Sequence, residues 1–115
     1  MNTPPASSTS SWLNNLMPHF LQQTKDRLTD IEAHRQAVYD GNDAVAAMKA
    51  ICDVAHKISG TADTFGFGDL GVLAQNIEKV SLSETMPVDD TSVAWSRMEP
   101  ALILLIDEIL KVLKK

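Results

Sequence analysis

From Trp12 onward the apolar residues recur every three or four positions, and no stretch alternates as a strand would. That spacing leaves helices as the regular structure available, cut into segments by glycine and proline. Trp12, Leu13, Leu16 and Met17 form a short first helix, which Pro18 interrupts or restarts, since proline suits the first helical position. The next segment runs to about Tyr39, with Phe20, Leu21, Leu28, Ile31 and Val38 inward. Gly41 supplies its left-handed stop, and Asn42 caps the helix after it. This third helix extends from Asp43 to about Phe65 and ends at Gly66 and Gly68. The fourth, from about Asp69 to Val80, buries Leu70, Leu73, Ala74, Ile77 and Val80. "SLSETMPVDD" reads as a loop, with Asp89 or Asp90 capping the fifth helix. That helix buries Val93, Met98, Leu102, Leu105, Ile106, Ile109 and Leu113, and its closing Lys111, Lys114 and Lys115 suit the negative end of the helix dipole.

Stripes of this kind can be buried only against one another. They predict an all-α fold: an antiparallel four-helix bundle with a short extra N-terminal helix. One domain is expected over 12–115, preceded by a disordered tail at 1–11, where "MNTPPASSTSS" offers almost nothing to bury.

Composition narrows the function classes. A net charge of −5 and a pI near 5.0 argue against binding to nucleic acid or to an anionic membrane. The one cysteine, Cys52, excludes an intramolecular disulfide framework and fits a reducing compartment. The first basic residue is Lys25, so no secretory leader pattern opens the sequence. The run from Ala101 to Ile106 ends in Asp107 and Glu108, too short to span a bilayer. A cytoplasmic protein is expected.

At ~100° per residue, Met48, Ile51, Ala55, Ile58, Ala62 and Phe65 share the buried arc of the third helix. His56 lies near the edge of that arc, on a partly exposed shoulder. Val45, Lys49, Cys52, Ser59, Gly60 and Asp63 point the same way. Glycine within a helix costs ~1 kcal/mol relative to alanine, so Gly60 one turn after the histidine invites a reason. With Ser59, Thr61 and Ala62 it leaves a low surface beside one ring nitrogen, as a nucleophile requires when its reaction partner is held inside another protein. Two plainer readings stand beside this one: a half-buried polar histidine, and a glycine that admits a neighbouring helix.

In "AHKISGTADTFGFGDLGVLAQNIE" the sequence resembles the histidine-phosphotransfer (HPt) domain of multistep phosphorelays. The family motif has His, then a hydrophobic residue at +2, Gly at +4, small residues at +5 and +6, Gly at +10, Leu at +14 and Glu or Gln at +22. His56, Ile58, Gly60, Thr61, Ala62, Gly66, Leu70 and Glu78 stand at those positions. The upstream "HFLQQTKDRLTDIEAHRQAVYDGND" is similar to the family's preceding helix and turn. The resemblance implies that His56 accepts a phosphoryl group from an aspartyl phosphate on a receiver domain and passes it to another receiver. It implies that Glu78 orients the imidazole, and that Val45, Lys49, Cys52, Ser59, Gly60, Asp63 and Phe67 meet the partner. Response-regulator receivers and a histidine kinase are then the expected partners, with Mg2+ held by the receiver, no metal site of the chain's own, and a monomeric carrier. One position departs from the pattern: many members carry Lys at +3, where this chain has Ser59 and places its lysine at +1, as Lys57. Lys57 leaves the helix ~100° from the imidazole and reaches a phosphoryl group only by bending back.

Other readings are a non-phosphorylated interaction module on the same bundle, a metal site and a membrane-surface helix. Cys52 and His56 could share a Zn2+ ion, but two ligands do not complete a tetrahedron. "GFGDLG" lacks the Lys-Ser/Thr of a phosphate-binding loop, so phosphorylation from ATP is not expected. "LILLIDEILKVLKK" is more simply a core-facing helix than a membrane-surface one.

Overall fold

A computed structural model describes the backbone of residues 5–83 and 91–114, and side chains over 15–80 and 92–114. The described residues are almost wholly helical. Helix α1 spans Pro5–Asp40, α2 Ala44–Ala62, α3 Gly68–Ser83 and α4 Thr91–Lys114, with a 3-10 turn at Asp63–Phe65. Helix α1 packs against α2 and α4, and α3 packs against α2 and α4, so the four helices close around one core.

The segment around Trp12 is not a separate helix. Helix α1 continues through Pro18, which lies on its exposed side. Proline in a helix interior removes a backbone hydrogen bond and crowds the carbonyl four residues back, at about 3 kcal/mol or more. A carbonyl released on the solvent side is accessible to water, which lessens that cost. Pro100 takes the same outward position in α4. Residues 1–4 of the tail expected at 1–11 lie outside the described residues, and α1 takes in the remainder as backbone.

Both turns that frame α2 depend on glycines at positive φ. Gly41, at φ 74°, ends α1 with its N–H on Val38 O, while Asn42 N–H reaches Ala37 O. This paired closure is the Schellman arrangement. The cap of α2 is Asp43 rather than Asn42: its carboxylate accepts from Ala46 N–H at 3.3 Å. Asp43 is itself left-handed, at φ 47°, a region that Asp tolerates better than most side chains. At the other end Gly66, at φ 85°, repeats the pattern, with Gly66 N–H on Asp63 O and Phe67 N–H on Ala62 O.

Phe20, Leu28, Ile31, Met48, Ile51, Ile58, Leu70, Ile77, Met98, Leu102, Leu105 and Ile109 meet in the core, as the helical spacing predicts. Leu21, Val38, Phe65, Leu73, Ile106 and Leu113 are half-buried against it. Phe65 and Phe67 stack on Phe20 from the turn after α2, at ring-centroid distances of 4.5 and 5.4 Å, which pins that turn to α1. Val93 departs from the expected stripe and is exposed. The buried line of α4 runs through Ala94, Met98, Leu102, Leu105, Ile109 and Val112, and Val93 sits about 100° to one side of Ala94. Helix α3 extends to Ser83, into the stretch expected as loop, whereas Asp89 and Asp90 lie outside the described residues.

Ile51 has no exposed surface. Its replacement by alanine is expected to destabilise the fold by about 2–5 kcal/mol in urea titrations. Leu104→Ala, at a site 55% exposed, should change stability by less than about 0.5 kcal/mol.

Candidate functional site

Helix α2 presents two faces with separate tasks. Met48, Ile51, Ala55, Ile58 and Ala62 hold one face in the core. That anchoring fixes the outward direction of His56 one residue after Ala55. The imidazole stands further out than a shoulder position suggests, with 77% of its side chain exposed.

Helix α3 supplies the second member of the site. Gly71 is buried, and a Cβ built on it would stand 3.8 Å from the Cβ of Ala62, so small residues meet where α2 and α3 begin their common path. Two turns further along α3, Glu78 reaches the outer edge of α2. Its Oε1 lies 3.3 Å from His56 Nδ1 and 2.9 Å from Ser59 Oγ. The Glu78 side chain is only 26% exposed, so water competes weakly for the carboxylate. With Nδ1 facing Glu78, Nε2 is the ring nitrogen on the far side of the imidazole. Ser59 Oγ also stands 2.9 Å from the carbonyl oxygen of His56 itself.

The remaining residues singled out from the sequence spread along the same side of α2. Lys49, Gly60 and Asp63 are exposed, while Val45, Cys52 and Ser59 are half-buried. Cys52 packs against the core with part of its surface. Phe67 lies beyond the turn with its ring stacked on Phe20, so its packing on α1 limits what it can offer outward. Lys57 is exposed, next along the chain from His56.

A Cβ added at Gly60 would meet nothing within 4 Å. No part of the described chain comes near enough to need a glycine there, so helix packing does not account for it. His19 and His34 lie on α1, not on the helix that carries His56. Among the described residues no three His, Cys, Asp or Glu side chains gather as a metal-ligand group. An open groove of about 340 Å3 lies elsewhere, between α1 and α4, lined by Glu32, Arg35, Gln36, Tyr39 and Ile106. No residue of α2 or α3 contributes to it.

The sequence motif pairs His56 with Glu78 but presents Ser59 only as the place of a missing lysine and as a surface contact. The bond from Ser59 to Glu78 joins residues 19 apart on two helices. Only the α2–α3 register reveals it; a one-residue shift of either helix would turn the two groups apart by ~100°.

A solvent-facing imidazole, backed by a carboxylate on the adjacent helix and fronted by open surface, suits a group that is loaded and unloaded by another protein. The model of the Hpt domain family matches residues 15–113, nearly the whole chain, and the protein belongs to that family. This membership gives it a phosphotransfer-carrier role in two-component signalling, among receiver domains and kinases. No curated protein and no solved structure matched in the comparisons made. No helix among the described residues is long and apolar enough to cross a membrane.

Because its Cβ would stand in open space, Gly60→Ala should raise stability by about 0.5–1 kcal/mol, the usual gain of alanine over glycine in a helix. Gly66→Ala should lower it, since φ 85° disfavours a side chain. Parallel chemical denaturation of both variants checks the opposite signs.

Proposed function

We propose that His56 is the phosphoryl acceptor, taking the group from an aspartyl phosphate on a receiver domain and returning it to an aspartate of another. The observation that carries this reading is the placement of His56 Nδ1 3.3 Å from the Glu78 carboxylate on an otherwise open face. A proton held on Nδ1 leaves the Nε2 lone pair free to attack phosphorus. The new bond is Nε2–P, the bond that breaks is the one from phosphorus to the aspartyl oxygen, and the aspartate leaves as a carboxylate. The ring becomes a phosphorylated imidazolium, still protonated on Nδ1, with its positive charge facing Glu78. No proton need be moved, so the same steps run backwards onto a second receiver.

Phosphoryl transfer of this kind is governed by positioning and electrostatics. A divalent cation, Mg2+, would neutralise phosphoryl oxygens and is assigned to the receiver. Lys57, next along the chain and ~100° around the helix, is available to bend toward the phosphoryl oxygens. Val45, Lys49, Cys52, Ser59, Gly60, Asp63 and the edge of Phe67 form the proposed docking footprint, with Gly60 keeping the surface low where the receiver must approach. The reading includes an antiparallel arrangement of the helices, a monomeric carrier and a cytoplasmic setting, consistent with net acidity and a single cysteine.

Mixing the protein with a phosphorylated receiver domain and Mg2+ is expected to give an acid-labile phosphoryl adduct by intact mass. The adduct should be absent in His56→Gln. Failure to form it with several different receivers would sink the carrier reading and favour a docking module that accepts no phosphate. Gly60→Ala should slow transfer from the receiver while leaving loading from a small phosphoramidate donor unchanged, because only the protein donor meets the added methyl group.

A further inference from the structure

Ser59 is half-buried one turn after His56, and its hydroxyl has two oxygens at 2.9 Å: the carbonyl of His56 and Oε1 of Glu78. A serine hydroxyl carries one proton. Of the two acceptors the carboxylate is the stronger, since hydrogen bonds to an ionised group exceed neutral ones. The His56 carbonyl, moreover, lies within the helix, where the backbone N–H four residues on can satisfy it. The serine proton therefore belongs on Glu78. The oxygen that receives it is the same Oε1 that faces the imidazole, so one carboxylate oxygen stands between two donors of α2.

We propose that Ser59 is a positioning residue that holds Glu78 against His56 and so sets which imidazole nitrogen carries the proton. It deepens, and rests on, the assignment of His56 as phosphoryl acceptor. Glutamate reaches the site on a flexible stem, and its carboxylate can turn away from the ring. Serine sits on one short bond beside the buried face of a helix that is locked in the core, so its hydroxyl has far less reach to move than a glutamate carboxylate. With Oε1 held there, Nδ1–H has an acceptor and Nε2–H has none from this pair. The tautomer with its lone pair on Nε2 is favoured. The chain thereby replaces the charge of a lysine at this position with a hydrogen bond that acts on the nucleophile through Glu78.

The test reads the tautomer directly, with no phosphoryl donor present. Long-range 1H–15N correlation spectra of 15N-labelled protein, at a pH where His56 is neutral, report the ratio of Nδ1–H to Nε2–H forms. Wild type should favour Nδ1–H. Ser59→Ala should lower the ratio about fivefold, the weight of one ordinary hydrogen bond, with helicity by circular dichroism unchanged. Ser59→Thr, which keeps the hydroxyl, should hold the wild-type ratio, and Glu78→Leu should abolish the preference. A wild-type ratio in Ser59→Ala overturns the proposal, and so does equal loss in the alanine and threonine variants, which would assign the effect to helix packing. Loading by phosphoramidate, followed in parallel on the same samples, separates the two claims. Tautomers that respond as stated in a protein that takes no phosphoryl group would remove the carrier reading and leave the positioning in place.

Discussion

The close approach of α2 and α3 is the constraint on which the rest depends. Where Gly71 meets Ala62 there is no bulk on either side to hold the helices apart. A large residue at either place would hold α2 and α3 apart at this end and draw the backbone that carries Glu78 away from His56 and Ser59. A contact between two of the smallest residues in the core therefore governs a polar arrangement two turns away. The apolar stripe of α2 supplies the other half of that control, because Ile51, Ala55 and Ile58 leave the helix no freedom to rotate.

Stability and chemistry are divided between opposite faces of one helix. Inward, α2 contributes side chains with almost no exposed surface. Outward, it carries a glycine that nothing in the described chain requires and a histidine whose Nδ1 lies 3.3 Å from a carboxylate of α3. Bundles tolerate this well. Burying one large aliphatic side chain is worth about 1.5–3 kcal/mol, more than a mid-helix glycine costs.

Much of this was legible in the chain. Periodicity identified most inward residues of α2 and α3 but missed Ala47 and Val54 and placed the half-buried Val80 inside, while Gly41 and Gly66 stand at left-handed turns. It failed where several signals compete. Pro18 reads as a break, yet an exposed proline leaves its orphaned carbonyl to water and the helix runs on. Asn42 and Asp43 are both good caps, and only the geometry of the turn selects Asp43. Val93 fits a stripe counted by threes and fours, but Ala94 holds the buried line. At the site, the pairing of His56 with Glu78 could be read only through family resemblance, since 22 residues and a turn separate them. The bond of Ser59 to Glu78 could not be read at all, because it depends on the relative register of two helices, and serine is small and polar enough to pass for ordinary surface.

The exposure of His56 has a consequence for time. An imidazole with 77% of its side chain in solvent has no wall or lid among the described residues to keep water from a group bound there. The lifetime of a loaded carrier would then track the intrinsic hydrolysis of the nitrogen–phosphorus bond, and the signal would survive only as long as that bond outlasts the wait for the next encounter. Fidelity in such a relay is a race between collision and decay, with its clock set by partner abundance.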